Sequence, residues 1–365
     1  MSQSKIMAQQ GVLPMQAVFD GHNDVLLRLW MLSKKGIDPV DAFMNGRLSS
    51  KGVKLGQLDL PCARKGGLKG GLCATFIPST ADKTQAQFDH YPMAAPLDHG
   101  YAFSAAEEFL AIARRIEDAQ GWTICTSVAD IRKAMQTGQF AAVLHMEGAE
   151  PINIDLAELH TFHQQGLRSL GPVWSRHNRY AHGVPFAFNQ TPDTGPGMTT
   201  HGIRLIHECN RLGIMVDVAH LNEAGFWDVE RYSDAPLVAS HSNVHSLSPA
   251  ARNLTDKQLD AIAERNGLVG INFAVNMLRS DGLYRTNTSL DVIRRHLDYL
   301  IERMGSDCVA LGSDFDGAYI PEAIHDASGL ANLTDYLKTH GYDDATLQGI
   351  CSENWLNLLE RTWKE

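Results

Sequence analysis

Residues 17–25 read Ala17-Val18-Phe19-Asp20-Gly21-His22-Asn23-Asp24-Val25. A short apolar start runs directly into a histidine between two acids, as a buried strand does when it ends on chemistry. Seven more stretches resemble it: 71–78, 140–147, 167–174, 213–220, 236–243, 267–273 and 308–316. Most are continuous blocks of Val, Ile, Leu and Ala, as expected for parallel strands covered on both faces. Amphipathic stretches lie between them. In 289–304, Leu290, Ile293, Leu297, Leu300, Ile301 and Met304 fall on one helical face. Thr288 and Asp291 are spaced as a capping box, and Gly305 stands where a C′ glycine belongs. Stretches 101–119, 254–265 and 345–361 behave the same way.

Eight strands interleaved with helices predict an α/β fold, a (β/α)8 TIM barrel spanning residues 1–365 as one domain. A doubly wound open sheet is the alternative. Three segments exceed ordinary loop length: 28–60 after strand 1, 79–100 after strand 2 and 176–201 after strand 4. On a barrel such loops crown the C-terminal face, where active sites are built. The glycine-rich run 66–71 lacks the spacing of a phosphate loop and reads as a turn before strand 2.

Composition narrows the function. With 44% hydrophobic and 20% charged residues, the chain is an ordinary globular sequence. Lys+Arg 32 against Asp+Glu 42 gives a net charge of −10, which argues against nucleic acid or an anionic membrane as partner. An anionic ligand must be held by a local cation. No apolar run approaches the ~20 residues of a membrane helix, and the N-terminus shows no signal-peptide core. The six cysteines are far apart with no CxxC pair, so free thiols and a cytoplasmic location are expected.

The strand ends carry the chemistry. Strand 1 ends in His22 and Asp24, which share a face if the strand continues through both. Strand 3 ends in Glu147, strand 5 in His220, strand 6 in His241 and strand 8 in Asp314. Burying so many ionisable groups without a partner is costly, so a cation is expected among them. Imidazoles and carboxylates without thiolate suit Zn²⁺, with Mn²⁺, Fe²⁺ and Co²⁺ also compatible. Six groups exceed one open tetrahedral site, and two metals sharing a carboxylate fit better. Each residue alone has a structural explanation; five strand ends meeting on one face do not. His145 is expected in the core or behind the ligands, Asp217 in a structural role and Asp316 behind Asp314. Arg252, just before a helix, is either a surface arginine or a carboxylate clamp.

Taken in order, Asp20-Gly21-His22-Asn23-Asp24, Glu147-Gly148, Asp217-Val218-Ala219-His220, Ser240-His241-Ser242-Asn243, Arg252-Asn253-Leu254-Thr255-Asp256 and Gly312-Ser313-Asp314-Phe315-Asp316-Gly317 resemble the membrane dipeptidase (renal dipeptidase) family of zinc peptidases. The resemblance covers nearly the whole chain. It implies a barrel with two zinc ions, His22 and Asp24 on one, His220 and His241 on the other, and Glu147 between them. It further implies a hydroxide shared by the ions as nucleophile, Asp314 as proton carrier and Arg252 as the grip on the substrate's terminal carboxylate. The reaction implied is hydrolysis of a dipeptide, often one with a C-terminal D-residue, and a homodimer is the usual assembly. The sequence departs from the family at the end of strand 4. There Trp174 replaces a histidine or tyrosine that contacts the scissile carbonyl, and an indole offers one N–H donor. His177, in the following loop, is the residue placed to substitute. After Glu147 the usual Gly-Gly is Gly148-Ala149.

Two other functions compete. One is another amidohydrolase-type reaction, lactone hydrolysis or deamination. Such barrels place His-x-His on strand 1 and often bridge through a carbamylated lysine, whereas this chain has His22-Asn23-Asp24 and Glu147. The other is a non-hydrolytic barrel that binds or matures a peptide-like product, an option kept open by Trp174.

Overall fold

Every residue of the segment Phe140–Glu147 is buried, as a parallel strand flanked by helices on one side and a filled interior on the other must be. A computed structural model, describing residues 15–46, 54–79 and 93–363, places this segment centrally in a curled parallel sheet. Nine strands occur among the described residues: β1 (Val18–Asn23), β2 (Leu68–Phe76), β3 (Trp122–Ile124), β4 (Phe140–Glu147), β5 (Leu167–Gly171), β6 (Met215–Val216), β7 (Val238–Ser242), β8 (Leu268–Ile271) and β9 (Val309–Leu311). One ladder runs β1-β2-β4-β5-β6, with β3 on the early part of β4, and a second runs β7-β8-β9. Isolated parallel bridges join the ladders at both edges, Asp217 to Val238 and Asn23 to Phe315. Register aligns the strand ends: Phe76 lies opposite Glu147, and Glu147 opposite Gly171.

An apolar cluster takes Phe19, Leu72, Ala141, Met215, Val238, Leu268 and Ala310 from seven strands and packs them with Trp355 and Leu356 of the C-terminal helix Asn354–Trp363. The Trp355 indole donates to the Leu311 carbonyl (2.8 Å), so this large ring is satisfied as well as buried.

Differences from the expected elements have local causes. The strand expected at 213–220 stops at Val216, because Asp217 turns the chain by accepting from the Ala219 amide (3.0 Å). β3 was not expected: its three residues are too short to register as a run. The described part of segment 28–60 is not plain loop: it carries the end of helix Val25–Ser33, the helix Pro39–Asn45 and the start of Leu60–Gly66. Gly67 does turn the chain, but β2 already begins at Leu68, inside the glycine run. The helix expected at 289–304 is present, yet Ser289 caps it, while Thr288 donates to the Arg285 carbonyl. Residues 1–14, 47–53 and 80–92 lie outside the described residues, and with them the N-terminal reading and parts of the segments after strands 1 and 2. All six cysteines are unpaired. No helix among the described residues is long and apolar enough to cross a membrane.

Candidate active site

The polar ends of the strands meet in one cavity of about 690 Å³, lined by Asp24, Glu147, His220, His241, Arg252 and Asp314 among others. His22 is fully buried directly beneath. Strand parity alone does not join His22 to Asp24. β1 slips register against β2 between Asp20 and Asn23, and Asp24 already stands at the N-cap position of the helix Val25–Ser33, its side chain making no capping bond. This bulge and helix start together bring Asp24 Oδ2 to 3.5 Å from His22 Nε2.

Glu147 Oε1 is the hub. It lies 2.8 Å from His220 Nε2, 3.7 Å from His241 Nε2 and 3.8 Å from His22 Nε2. The two distal imidazole nitrogens, His220 Nε2 and His241 Nε2, are only 3.0 Å apart. Their proton positions follow from their partners. The Ser240 hydroxyl donates its single proton to Asp217 Oδ2 (2.5 Å), so at 2.8 Å it accepts from His241 Nδ1. His220 Nε2 faces Arg252 Nη2 at 3.2 Å, and a guanidinium only donates. Its Nδ1 is therefore the protonated nitrogen and donates to Ser175 Oγ (2.9 Å). Both Nε2 lone pairs and the Glu147 carboxylate thus crowd together, and the Arg252 guanidinium, 3.2 Å from His220 Nε2, is a donor that reaches them from one side. His22 Nδ1 and Nε2 and Asp24 Oδ1 are also buried without a hydrogen-bond partner. Such a set of donor atoms suits a divalent cation. Among the described residues three triads satisfy ligand spacing, each with its ligand atoms within 4.8 Å of one another: His22-Asp24-Glu147 and Glu147-His220-His241, which share Glu147, and His22-Asp217-His241.

The electrostatics agree. Burial pushes the His220 and His241 imidazoles well below their ordinary range, aided by Arg252 and His22, so both stay neutral. Burial also opposes charge on His22, but the carboxylates of Glu147, Asp24 and Asp314 override it and raise this imidazole to about 10. The pocket therefore attracts positive charge. Burial raises both Glu147 and Asp314, with His22 partly offsetting the effect.

Asp314 follows β9 with φ 61°, in the left-handed region that non-glycine residues seldom occupy. Its Oδ2 accepts from Asn272 Nδ2 (3.0 Å). A Cβ on the neighbouring Gly317 would fall 2.5 Å from Asp314 Oδ1 and 2.2 Å from Asp24 Oδ2, so only glycine leaves room for these two carboxylates. Arg252 is fully buried, not on the surface. It donates to the carbonyls of Ala219 and His241, and its Nε has no partner. Trp174 lines the cavity between Phe76 and Phe186, its ring centroid 6.0 Å from that of His220. His177 is not among the lining residues and packs on His182 (4.3 Å between centroids).

The flanking residues also have definite places. His145 is buried, bonded to Ser169 Oγ (2.7 Å) and 3.6 Å from Asp217. Asp316 does not stand behind Asp314. It pairs with Arg28 (2.9 Å) and accepts from the Gln57 amide, tying the segment after β1 to the segment after β9. Sequence reasoning missed Asn272, Ser175 and Ser240. It also missed the buried pair of Arg176 and Glu150 (3.0 Å), whose guanidinium stacks under Trp174.

Comparison with known proteins reaches the same place. The family model for membrane dipeptidase, peptidase family M19, matches residues 7–364. The chain belongs to the membrane dipeptidase family. As an M19 member it is a metallo-dipeptidase, a peptide hydrolase. Its structure resembles that of dipeptidase AC, an M19 metallo peptidase, with TM-score 0.89 and 45% identity over 96% of this chain and 100% of the other. It equally resembles a Rhodobacter sphaeroides metallo peptidase liganded with a phosphinate mimic of the dipeptide L-Ala-D-Ala, with TM-score 0.89 and 44% identity over 96% and 100%. Among curated relatives, an uncharacterized protein in the PQQ-III 3′ region of Acinetobacter calcoaceticus is 42% identical over 79% of this chain and 90% of its own length. Within the M19 family a metal cofactor is the rule, and the histidines and acids gathered here can hold one.

Proposed function

We propose that this M19 chain hydrolyses a free dipeptide using two Zn²⁺ ions, His22 and Asp24 holding one, His220 and His241 the other, with Glu147 shared. The observation that carries this reading is the convergence of His220 Nε2, His241 Nε2 and Glu147 Oε1, buried and within ligand spacing of one another, beside the unpartnered His22 nitrogens. When bound, such an ion pair polarises the scissile carbonyl and supplies an activated water at neutral pH. Arg252, fixed by two backbone carbonyls, grips the substrate's C-terminal carboxylate through its free edge. Asp314, its proton affinity raised by burial, takes a proton from the attacking water and passes it to the leaving amine. Trp174, Phe76 and Phe186 wall the cavity and limit water around the reacting bond. The L-Ala-D-Ala mimic in the Rhodobacter sphaeroides relative supports a small dipeptide, with a D-residue tolerated at its C-terminus.

The architecture we propose to carry this site is a closed (β/α)8 barrel forming one domain. The bridges Asp217–Val238 and Asn23–Phe315 and the apolar cluster shared by seven strands support it. The six unpaired cysteines support a reducing, cytoplasmic setting.

The test is turnover of a dipeptide panel, L and D at both positions, by zinc-loaded protein. At least one member is cleaved, and the C-terminal amide of that member is cleaved poorly. A panel left intact throughout counts against the reading.

A further inference from the structure

The main cavity has a branch. A recess of about 120 Å³ opens beside Arg252 and shares Phe186, Arg252, Asn276, Met277 and Tyr284 with it. Its remaining walls include Ala187, Phe188 and Ala250, which do not line the main cavity. The recess is built, not incidental. The loop after β5 and the loop after β7 pair there: Phe188 bridges Ala250 in antiparallel fashion, and the Ala251 amide donates to the Ala187 carbonyl (2.8 Å). Phe188 packs against the apolar cluster of Ala250, Ala274 and Met277. Its ring also lies against Gly282, where a Cβ would come within 2.5 Å of Cδ2, so the ring has one place to sit.

We propose that this recess is the subsite for the side chain of the dipeptide's C-terminal residue and that it selects apolar side chains of about leucine size. The inference rests on the reading of Arg252 as the carboxylate grip. A carboxylate held there is bonded directly to the Cα of the C-terminal residue. The amide nitrogen on that Cα must point back to Glu147 and the histidines, where the bond is cut. Of the two remaining positions on the tetrahedral carbon, one faces the recess beginning at Arg252 and the other faces the main cavity. Away from Arg252, Asn276 and Tyr284, which it shares with the main cavity, the recess is walled by Phe186, Ala187, Phe188, Ala250 and Met277, so an apolar side chain reaching them gains by leaving water, and a polar one of equal size does not. One hand of the C-terminal residue fills the recess while the other leaves it empty. Discrimination between hands therefore grows with side-chain size.

The experiment compares kcat/KM for Ala-Gly, Ala-Ala, Ala-Leu, Ala-Asn and Ala-Lys, each chiral C-terminal residue in both hands, and for a Xaa-Ala series. Zinc-loaded wild type, Phe188→Ala and Phe188→Leu are the enzymes. Ala-Gly, with no side chain to reach Phe188, is the internal reference. In the wild type, the better hand of Ala-Leu exceeds Ala-Gly by about tenfold, and Ala-Asn and Ala-Lys gain nothing. In Phe188→Ala the Ala-Leu to Ala-Gly ratio falls to about threefold or less, through KM. Phe188→Leu keeps the ratio, and the Xaa-Ala series keeps its order in all three. A ratio unchanged by Phe188→Ala overturns the subsite. So does a shift that shows in the Xaa-Ala series instead. A wild type that cleaves no member of either series overturns the dipeptidase reading, and the subsite falls with it.

Discussion

Asn272 Nδ2 donates to Asp314 Oδ2 at 3.0 Å, and the same amide is locked the right way round because its oxygen accepts from the Ala274 amide at 2.6 Å. Asp314, the proposed proton carrier, is therefore held by a group that cannot flip. Asp314→Asn keeps the shape but removes the base. A kcat loss of about 10²–10⁴ is expected, with unchanged zinc content. Asn272→Ala frees the carboxylate without removing it, and a loss of about tenfold in kcat with little change in KM is expected. Steady-state kinetics beside metal analysis checks both. An Asp314→Asn enzyme as active as wild type removes Asp314 from the mechanism.

The Asp217–Ser240–His241 chain makes a prediction about metal rather than rate. Ser240→Ala removes the acceptor that keeps the His241 proton on Nδ1. The ring is then free to protonate Nε2, the nitrogen aimed at Glu147. Zinc affinity is expected to fall about 10- to 100-fold, read by competition with a chromophoric chelator. Unaltered affinity would mean the tautomer is set by something else.

Arg252 is fully buried, and burial lowers its guanidinium to about 10, with Asp314 and Glu147 limiting the drop. It stays charged at neutral pH. Wild type is expected to prefer a free dipeptide to its C-terminal amide by about 100-fold, as charge-assisted hydrogen bonds allow. Arg252→Lys keeps the charge but loses the planar fork, so this preference shrinks to a few-fold while zinc content holds. Parallel kinetics on acid and amide decides it.

Stability has its own pH signature away from the site. His296 is buried in the helix Leu290–Met304, accepting from the Val244 amide and donating to the Leu278 carbonyl. Burial lowers it from 6.5 to about 4, with the Leu278 contact opposing and Arg295 assisting. Between those values the unfolded chain binds a proton that the native chain does not, so stability falls as pH drops from 6.5 toward 4. The loss approaches about 3 kcal/mol at most. His296→Gln keeps an acceptor and a donor but does not titrate. Its urea midpoint is expected to change less between pH 7 and pH 5 than that of wild type.

Much of this site is visible in the primary structure for one reason. His22, Glu147, His241 and Asp314 interrupt or end apolar runs, and a run long enough to be a buried strand aims its last residues at a common face. Asn272 obeys the same rule at the end of β8, but an amide attracts less notice than an acid. Ser175 and Ser240 carry no such signal, since serine is common and their role depends on a neighbour from another strand. The Arg176–Glu150 pair is hidden because both come from irregular segments, where burial has no periodicity to betray it. His22 and Asp24 meet through a bulge and a helix start rather than through strand parity, and neither feature is visible as a residue pattern. His177 looked available only because a loop gives no direction to its side chains. β3 and the helices inside 28–60 were lost to shortness, each having too few residues to display a period.

The bridge between Asn23 and Phe315, with the Asp314 amide bonded to the His22 carbonyl (2.9 Å), has a consequence for biosynthesis. The site thus joins residues far apart in the sequence. A nascent chain still short of residue 314 lacks the Asp314 carboxylate and the backbone bond that seats it against His22. Full activity is expected only once that late segment has docked.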